Sequence, residues 1–301
     1  MLKLSVLAAQ IKPQKGDYRA NLARVGEIFA QIRDTPLTAD VLTLPEAAMS
    51  GYFLEGGVRE VARTKEEIFA ELNQEYLTHG PDKPMDIVVG FYEQWDRKFY
   101  NSCLYATLGR GDGIDAPGIV HVHRKFFLPT YGVFDEKRFV SRGRTIDSFS
   151  TRFGGVKAAT LVCEDAWHSI TPTIAALKGA QILYIVSASP ARGFGEVLIG
   201  NVAQWRQLLY NIAAEHNIWI VQTGLVGFEG GKGFVGCSLV VDPFAVTRLE
   251  GPVGKEALLS AEVDLDDVSV ARATSPMLAD LEANLADIRL EIDQIERTGH
   301  V

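Results

Sequence analysis

The chain has 301 residues, of which 47% are hydrophobic and 23% charged. A chain of that length buries about three quarters of its unfolded surface, so a disordered segment and a disulfide-held miniature scaffold are both excluded. Its 38 acidic and 30 basic residues leave a formal charge of −8, the wrong sign for a protein that coats phosphates, and nucleic acid is not an expected partner.

In chain order, residues 4–10 read as a strand and 21–33 as a helix with Leu22, Val25, Ile28, Phe29 and Ile32 on one face. A strand over 41–44 and a helix over 64–78 follow. Strands over 87–92 and 102–108 are separated by a stretch too short for a helical crossover, which predicts an antiparallel hairpin and therefore a mixed sheet. Beyond them come strands over 119–123 and 156–162, a helix over 167–177, a strand over 182–186 and a helix over 195–216. Strands over 219–223, 236–241 and 257–263 complete an α/β layered pattern with no linker or repeat. The main body is set at residues 1–265 and a C-terminal helical extension at 266–301. In that extension Leu278, Leu281, Leu285, Ile288, Ile292 and Ile295 are spaced by threes and fours. That is a seam for a second subunit or for the chain's own body.

No apolar run is long enough to span a bilayer, and residues 1–6 lead straight into the first strand instead of a signal-peptide core. The expectation is a cytoplasmic protein without a membrane partner. Three cysteines, Cys103, Cys163 and Cys237, fit neither a disulfide framework nor a zinc knuckle.

Cys163 ends the apolar run 156–162 and is followed by Glu164-Asp165-Ala166-Trp167. A thiol where a strand stops and a helix starts is presented at the sheet edge, where free N–H groups favour thiolate and can cradle an oxyanion. A buried apolar filler is the alternative, and it is the expected role of Cys103 and Cys237 in mid-strand. No histidine stands in a motif that offers a base; His121 and His123 read as ordinary strand residues. A carboxylate serves if burial raises its pKa. Glu46 and Lys125 each follow an apolar strand and would face a crevice, or else are solvated strand ends.

Three blocks then resemble the signatures of the nitrilase superfamily of carbon-nitrogen hydrolases. They are Leu44-Pro45-Glu46-Ala47-Ala48-Met49-Ser50-Gly51-Tyr52, the stretch from Arg124-Lys125-Phe126 through Asp135-Glu136-Lys137-Arg138-Phe139, and Val162-Cys163-Glu164-Asp165-Ala166-Trp167. They stand in the family's order, and the similarity spans about residues 2–265. The resemblance implies a four-layer αββα sandwich of two mixed β-sheets flanked by helices, pairing into a homodimer or higher homo-oligomer. It implies a Glu46, Lys125 and Cys163 triad with Glu136 as a second carboxylate, and no metal or organic cofactor.

True nitrilases of this superfamily usually carry Trp-Glu after the nucleophile; Glu164-Asp165 here favours amides over nitriles. The blocks, with Ser187-Ala188-Ser189-Pro190, are most similar to the glutaminase portion of glutamine-dependent NAD synthetases. In that comparison Tyr52, Tyr131, Glu164, Ser189 and Arg192 fall where substrate would lie. A phosphate-binding Ser-Gly-Gly loop is missing, so no NAD synthesis by this chain alone is expected. Gln222-Thr223-Gly224 and Ala191-Arg192-Gly193-Phe194-Gly195 depart from the relatives, which puts glutamine itself in question. The expected activity is a Cys-dependent amidase acting on a small linear amide through a thioester, with a nitrilase, a catalytically idle regulatory subunit or an ammonia donor docked to a separate synthetase as alternatives.

Overall fold

A computed structural model describes residues 2–193 and 199–299. In the first strand, β1 (Lys3–Gln10), Leu4 and Val6 join one buried cluster while Leu7 and Ala9 join another. Alternate side chains point to opposite faces of a strand, so β1 must be covered on both sides. What covers it defines the architecture.

Helix α1 (Tyr18–Asp34) packs the predicted face, Leu22, Val25, Ile28, Phe29 and Ile32, against the outer side of the first sheet. Strand β2 is Val41–Thr43, followed by the short α2 (Val58–Val61) and by α3 (Lys65–His79). Thr64 and Glu67 close the start of α3 in a reciprocal capping box. Strands β3 (Met85–Trp95) and β4 (Lys98–Leu108) form the expected hairpin, longer than predicted. Its two-residue turn, Asp96-Arg97, holds φ at 47° and 60°, the left-handed pair that suits the strand twist. Strand β5 (Gly118–Arg124) completes the sheet, in the order β1-β2-β3-β4-β5, and a late strand described below lies on the other side of β1.

The second sheet takes β6 (Ser148–Ser150), β7 (Lys157–Val162), then α4 (Ile170–Leu177), β8 (Ile182–Ser187), α5 (Gly200–His216) and β9 (Trp219–Gly224). The start of the helix predicted at 195 lies outside the described residues. A hairpin of β10 (Val226–Glu229) and β11 (Lys232–Val235) stands apart from both sheets. The chain then adds β12 (Leu239–Val241) and β13 (Thr247–Glu250), and returns to the first sheet as β14 (Ala257–Asp264), antiparallel to β1. Each sheet has six strands, parallel at the centre and antiparallel at the edges. Their inner faces share one core, in which Val6, Val88 and Tyr105 meet Tyr184 and Val221, with the Tyr105 and Tyr184 rings 5.9 Å apart. The layers are α1 and α3, first sheet, second sheet, α4 and α5: the αββα sandwich.

Two expectations fail locally. The strand predicted over 236–241 begins only at Leu239, because Gly236 and Cys237 hold φ at 68° and 52° and cannot continue a pleat. Cys237 is therefore a loop residue and not a mid-strand one, whereas Cys103 is buried within β4. The C-terminal stretch is also broken. After α6 (Asp266–Thr274) come α7 (Met277–Ala283) and α8 (Leu285–Thr298), separated at Asn284. Leu278 is buried, but Leu285, Ile292 and Ile295 are 44%, 51% and 53% exposed, so the later half of the seam does not pack on the chain's own body. Among the described residues no helix is long and apolar enough to cross a membrane.

Candidate active site

The chemistry-bearing residues stand at strand ends on one rim of the sandwich. Glu46 follows β2, and the chain turns just after it, with Ala47 at φ 52°. That turn lies so close to β3 that a Cβ on Gly90 would come within 2.5 Å of Glu46 Cα and of the Pro45 carbonyl oxygen. Only glycine permits the approach. Glu46 is fully buried. Its Oε1 accepts hydrogen bonds from Asn101 Nδ2 at 2.7 Å and Lys125 Nζ at 2.8 Å, and its Oε2 accepts one from the Ala188 backbone N–H at 2.7 Å.

Lys125 leaves the end of β5 and is also buried. Its Nζ bridges Glu46 Oε1 and, at 2.7 Å, Glu136 Oε1. Burial disfavours the ammonium, but the Glu136 and Glu46 carboxylates outweigh it and raise the lysine well above its ordinary range. Glu136 opens a 3-10 turn, Glu136–Arg138, and also accepts a short hydrogen bond from the Tyr52 hydroxyl. Burial pushes its carboxyl up to about 7 against the pull of Lys125, with Glu46 adding to the rise. Glu136 Oε2 is buried without a partner among the described residues, and the residue borders a cavity of about 290 Å³ walled by Tyr52, Phe53, Tyr92 and Phe134. Tyr52 is held in turn by Glu229 of β10, which accepts from the Tyr52 and Phe53 backbone N–H groups at 2.8 and 3.0 Å.

Cys163 is the first residue past β7, at φ 44°, a left-handed conformation that costs about 1–3 kcal/mol for a side chain with a Cβ and recurs where a group is held out for chemistry. Burial, then the Glu46 carboxylate, hold the thiol well above its usual range, with Lys125 pulling the other way. The element that follows is a five-residue 3-10 turn, Cys163–Trp167, instead of a full helix, and its dipole does not offset burial beside a carboxylate.

Asp165, which no motif or spacing marks as a site residue, ties the site together. Its Oδ1 accepts from the Phe126 and Phe127 N–H groups at 2.9 and 2.8 Å. Its Oδ2 accepts from Val162 N–H at 3.2 Å and pairs with His123 Nε2 at 2.7 Å. Both side chains are almost wholly buried. One carboxylate thus clamps the residues just after Lys125 to the residue just before Cys163. His123 is not an ordinary strand residue as expected: two places before Lys125, it shares that residue's face of β5.

The remaining predicted residues form a second group. Tyr131 is half exposed, and its hydroxyl donates to the Glu164 carboxylate at 2.9 Å. Arg192 lies 5.5 Å from the Phe134 ring. Ser189 is buried, and Asn201 of α5 holds its segment by donating to Ser189 Oγ at 3.0 Å and Pro190 O at 2.9 Å while accepting from Arg192 N–H. Phe194 and Gly195 lie outside the described residues. Among the described residues no cluster of three His, Cys, Asp or Glu is placed to hold a metal.

Known proteins share this arrangement of sequence and fold. The family model for carbon-nitrogen hydrolases matches residues 5–273. A glutamine-dependent NAD(+) synthetase of Thermotoga maritima is 26% identical over 269 residues, which cover 89% of this chain and 43% of the synthetase. The chain thus spans under half of that relative. A protein of Schizosaccharomyces pombe named as a probable nitrilase is 24% identical over 280 residues, covering 90% of this chain and 92% of its own length. Among solved structures, a carbon-nitrogen hydrolase from Helicobacter pylori superposes with a TM-score of 0.79 at 21% identity, over 94% of this chain and 98% of that one. With nine tenths of its length matched by one family model and its two packed sheets matched by that hydrolase, this chain belongs to the carbon-nitrogen hydrolase family.

Proposed function

We propose that the protein is a Cys-dependent amidase of small linear amides, with Glu46, Lys125 and Cys163 as its working unit and Glu136 as a second carboxylate. The observation that carries the reading is the buried Lys125 ammonium bridging Glu46 and Glu136 at 2.8 and 2.7 Å beside the Cys163 elbow, where burial and the Glu46 carboxylate set a protonated nucleophile beside an acceptor. Glu46 takes the thiol proton as sulfur attacks the amide carbon. The oxyanion is met by the Lys125 ammonium and by the Glu164 backbone N–H. As the C–N bond breaks, Glu46 returns that proton to the departing ammonia or amine, leaving a thioester. Water then adds to the thioester carbon, giving its proton to Glu46 with help from Glu136. The C–S bond breaks, the sulfur recovers a proton and the acid leaves.

Glu164-Asp165 after the nucleophile, where nitrilases of the superfamily carry Trp-Glu, favours amides. Similarity to a probable nitrilase over nearly its whole length keeps nitriles as the second reading. The test is an ammonia-release screen over amides, carbamoyl amino acids and nitriles, with intact-mass detection of an acyl adduct on Cys163. Turnover of amides, lost in Cys163→Ala, supports the reading; turnover of nitriles alone moves the protein to the other branch. Substantial activity in Cys163→Ala ends the mechanism. Slow iodoacetamide labelling of wild type, no slower in Glu46→Gln, would support a catalytically idle subunit.

A further inference from the structure

On the far side of the 128–140 segment from the Glu136 cavity lies a second, larger groove of about 800 Å³, within the range of small-molecule clefts. Its walls carry Lys98, Lys137, Arg142 and Arg144, all exposed, against one carboxylate, Glu164. Glu164 is already engaged by the Tyr131 hydroxyl, and among the described residues none of the four cations is paired with a carboxylate. Arg138 next to Lys137 and Arg124 at the end of β5, by contrast, have Asp135 and Glu93 as partners. In a chain with a formal charge of −8, four unneutralised cations around one concavity are a local reversal of sign.

The groove is also built and held. Arg142-Gly143-Arg144 is laid against the end of β5 by a hydrogen bond from Gly143 N–H to the Lys125 carbonyl at 2.7 Å, and Ser141 N–H bonds the Phe99 carbonyl at 2.8 Å. A Cβ at Gly143 would stand 2.0 Å from the Arg124 carbonyl oxygen, so glycine alone lets this segment lie so close, with an arginine on either side of it. The Arg142 guanidinium sits 5.3 Å from the Phe126 ring, and His168 stacks on Phe127 at 3.8 Å, which gives the floor a fixed aromatic surface. Planar, always-charged guanidinium forks match phosphate and carboxylate geometry.

We propose that this groove binds a small organic polyanion, a phosphate ester, diphosphate or polycarboxylate, through Arg142 and Arg144 with Lys98 and Lys137. The groove shares Tyr131 and Glu164 with the proposed substrate site, but its four cations stand outside the Glu46, Lys125 and Cys163 unit, so anion binding does not require the amidase chemistry. Pyrophosphate and citrate are titrated into wild type, Arg142→Ala/Arg144→Ala and Arg142→Lys/Arg144→Lys by calorimetry at two salt concentrations. Saturable binding with a Kd below about 1 mM is expected, weakened about tenfold or more in the double alanine variant, part-retained in the lysine variant and reduced by salt. All four groups are exposed, so the variants fold. Pyrophosphate binding without citrate binding assigns the site to phosphates, and the reverse assigns it to carboxylates. Three results overturn the proposal: no saturation by either probe up to about 10 mM, equal binding by wild type and the double alanine variant, or binding of polyglutamate alone, which would make the groove a dock for an acidic protein.

Discussion

Asp165→Asn separates a positioning role from mere packing. The wild-type carboxylate accepts from three backbone N–H groups and pairs with His123. An amide offers one oxygen. Turned towards Phe126 and Phe127, it sets its NH2 against the Val162 N–H; turned the other way, it abandons two donors. At least one buried backbone donor is stranded, costing about 1–3 kcal/mol, and the surviving bonds lose the strength that a charged acceptor lends, so we expect about 2–4 kcal/mol in all. In urea the midpoint falls accordingly with an unchanged slope. The functional effect should exceed what stability explains. The clamp joins the Lys125 segment to the Cys163 elbow, and a shift of about 1 Å between reacting groups costs about 100-fold in rate. The assay is kcat/KM per folded molecule, together with the iodoacetamide rate of Cys163. His123→Gln, which leaves all three backbone donors paired, serves as the milder companion. If Asp165→Asn loses stability while its folded fraction turns over and alkylates at wild-type rates, the positioning argument is refuted.

Glu46→Gln should keep the fold by circular dichroism and lose turnover by about 10³-fold or more, since members of a catalytic unit fail together. Lys125→Ala should be inactive and, contrary to a reading of Lys125 as a merely catalytic side chain, should destabilise by about 3–5 kcal/mol, because it leaves Glu46 and Glu136 buried around a lost ammonium; denaturant titration checks it. Burial raises the Glu136 carboxyl to about 7. Its stabilising contribution is therefore complete below the unfolded-state pKa and lost as pH rises through about 7. Stability measured from pH 5 to 8 should fall in wild type relative to Glu136→Gln; an unchanged difference between the two would contradict the assignment. Finally, we propose α8 as a subunit contact: a chain ending at Ala283 should elute at lower mass on gel filtration, and an unchanged oligomer discards that role.

The parts of the fold legible in the sequence are those whose burial writes a period into the chain. The α1 face and the apolar cores of β7, β8 and β9 are such cases, and so are the strand ends carrying Glu46, Lys125 and Cys163. Short or polar elements escaped: β6 is Ser-Phe-Ser, β13 is Thr-Arg-Leu-Glu, and the β10 and β11 hairpin is rich in glycine. None is long enough to show alternation. The residues that hold the site escaped for a different reason. His123 and Asp165 are 42 positions apart, Glu229 and Tyr52 further still, and nothing in either local sequence announces its partner. How far the Cys163 thiol is held above its usual range was not legible either, because burial beside a carboxylate is a property of the assembled pocket.

Gly90 marks a second kind of fragile position in this protein. A methyl group there would press on the backbone that carries Glu46, so random mutagenesis should return Gly90→Ala among its inactive clones although that position contributes no atom to the reaction. Vulnerability in this protein extends to places where the lineage can tolerate no side chain whatever, and a survey confined to polar groups would pass over them.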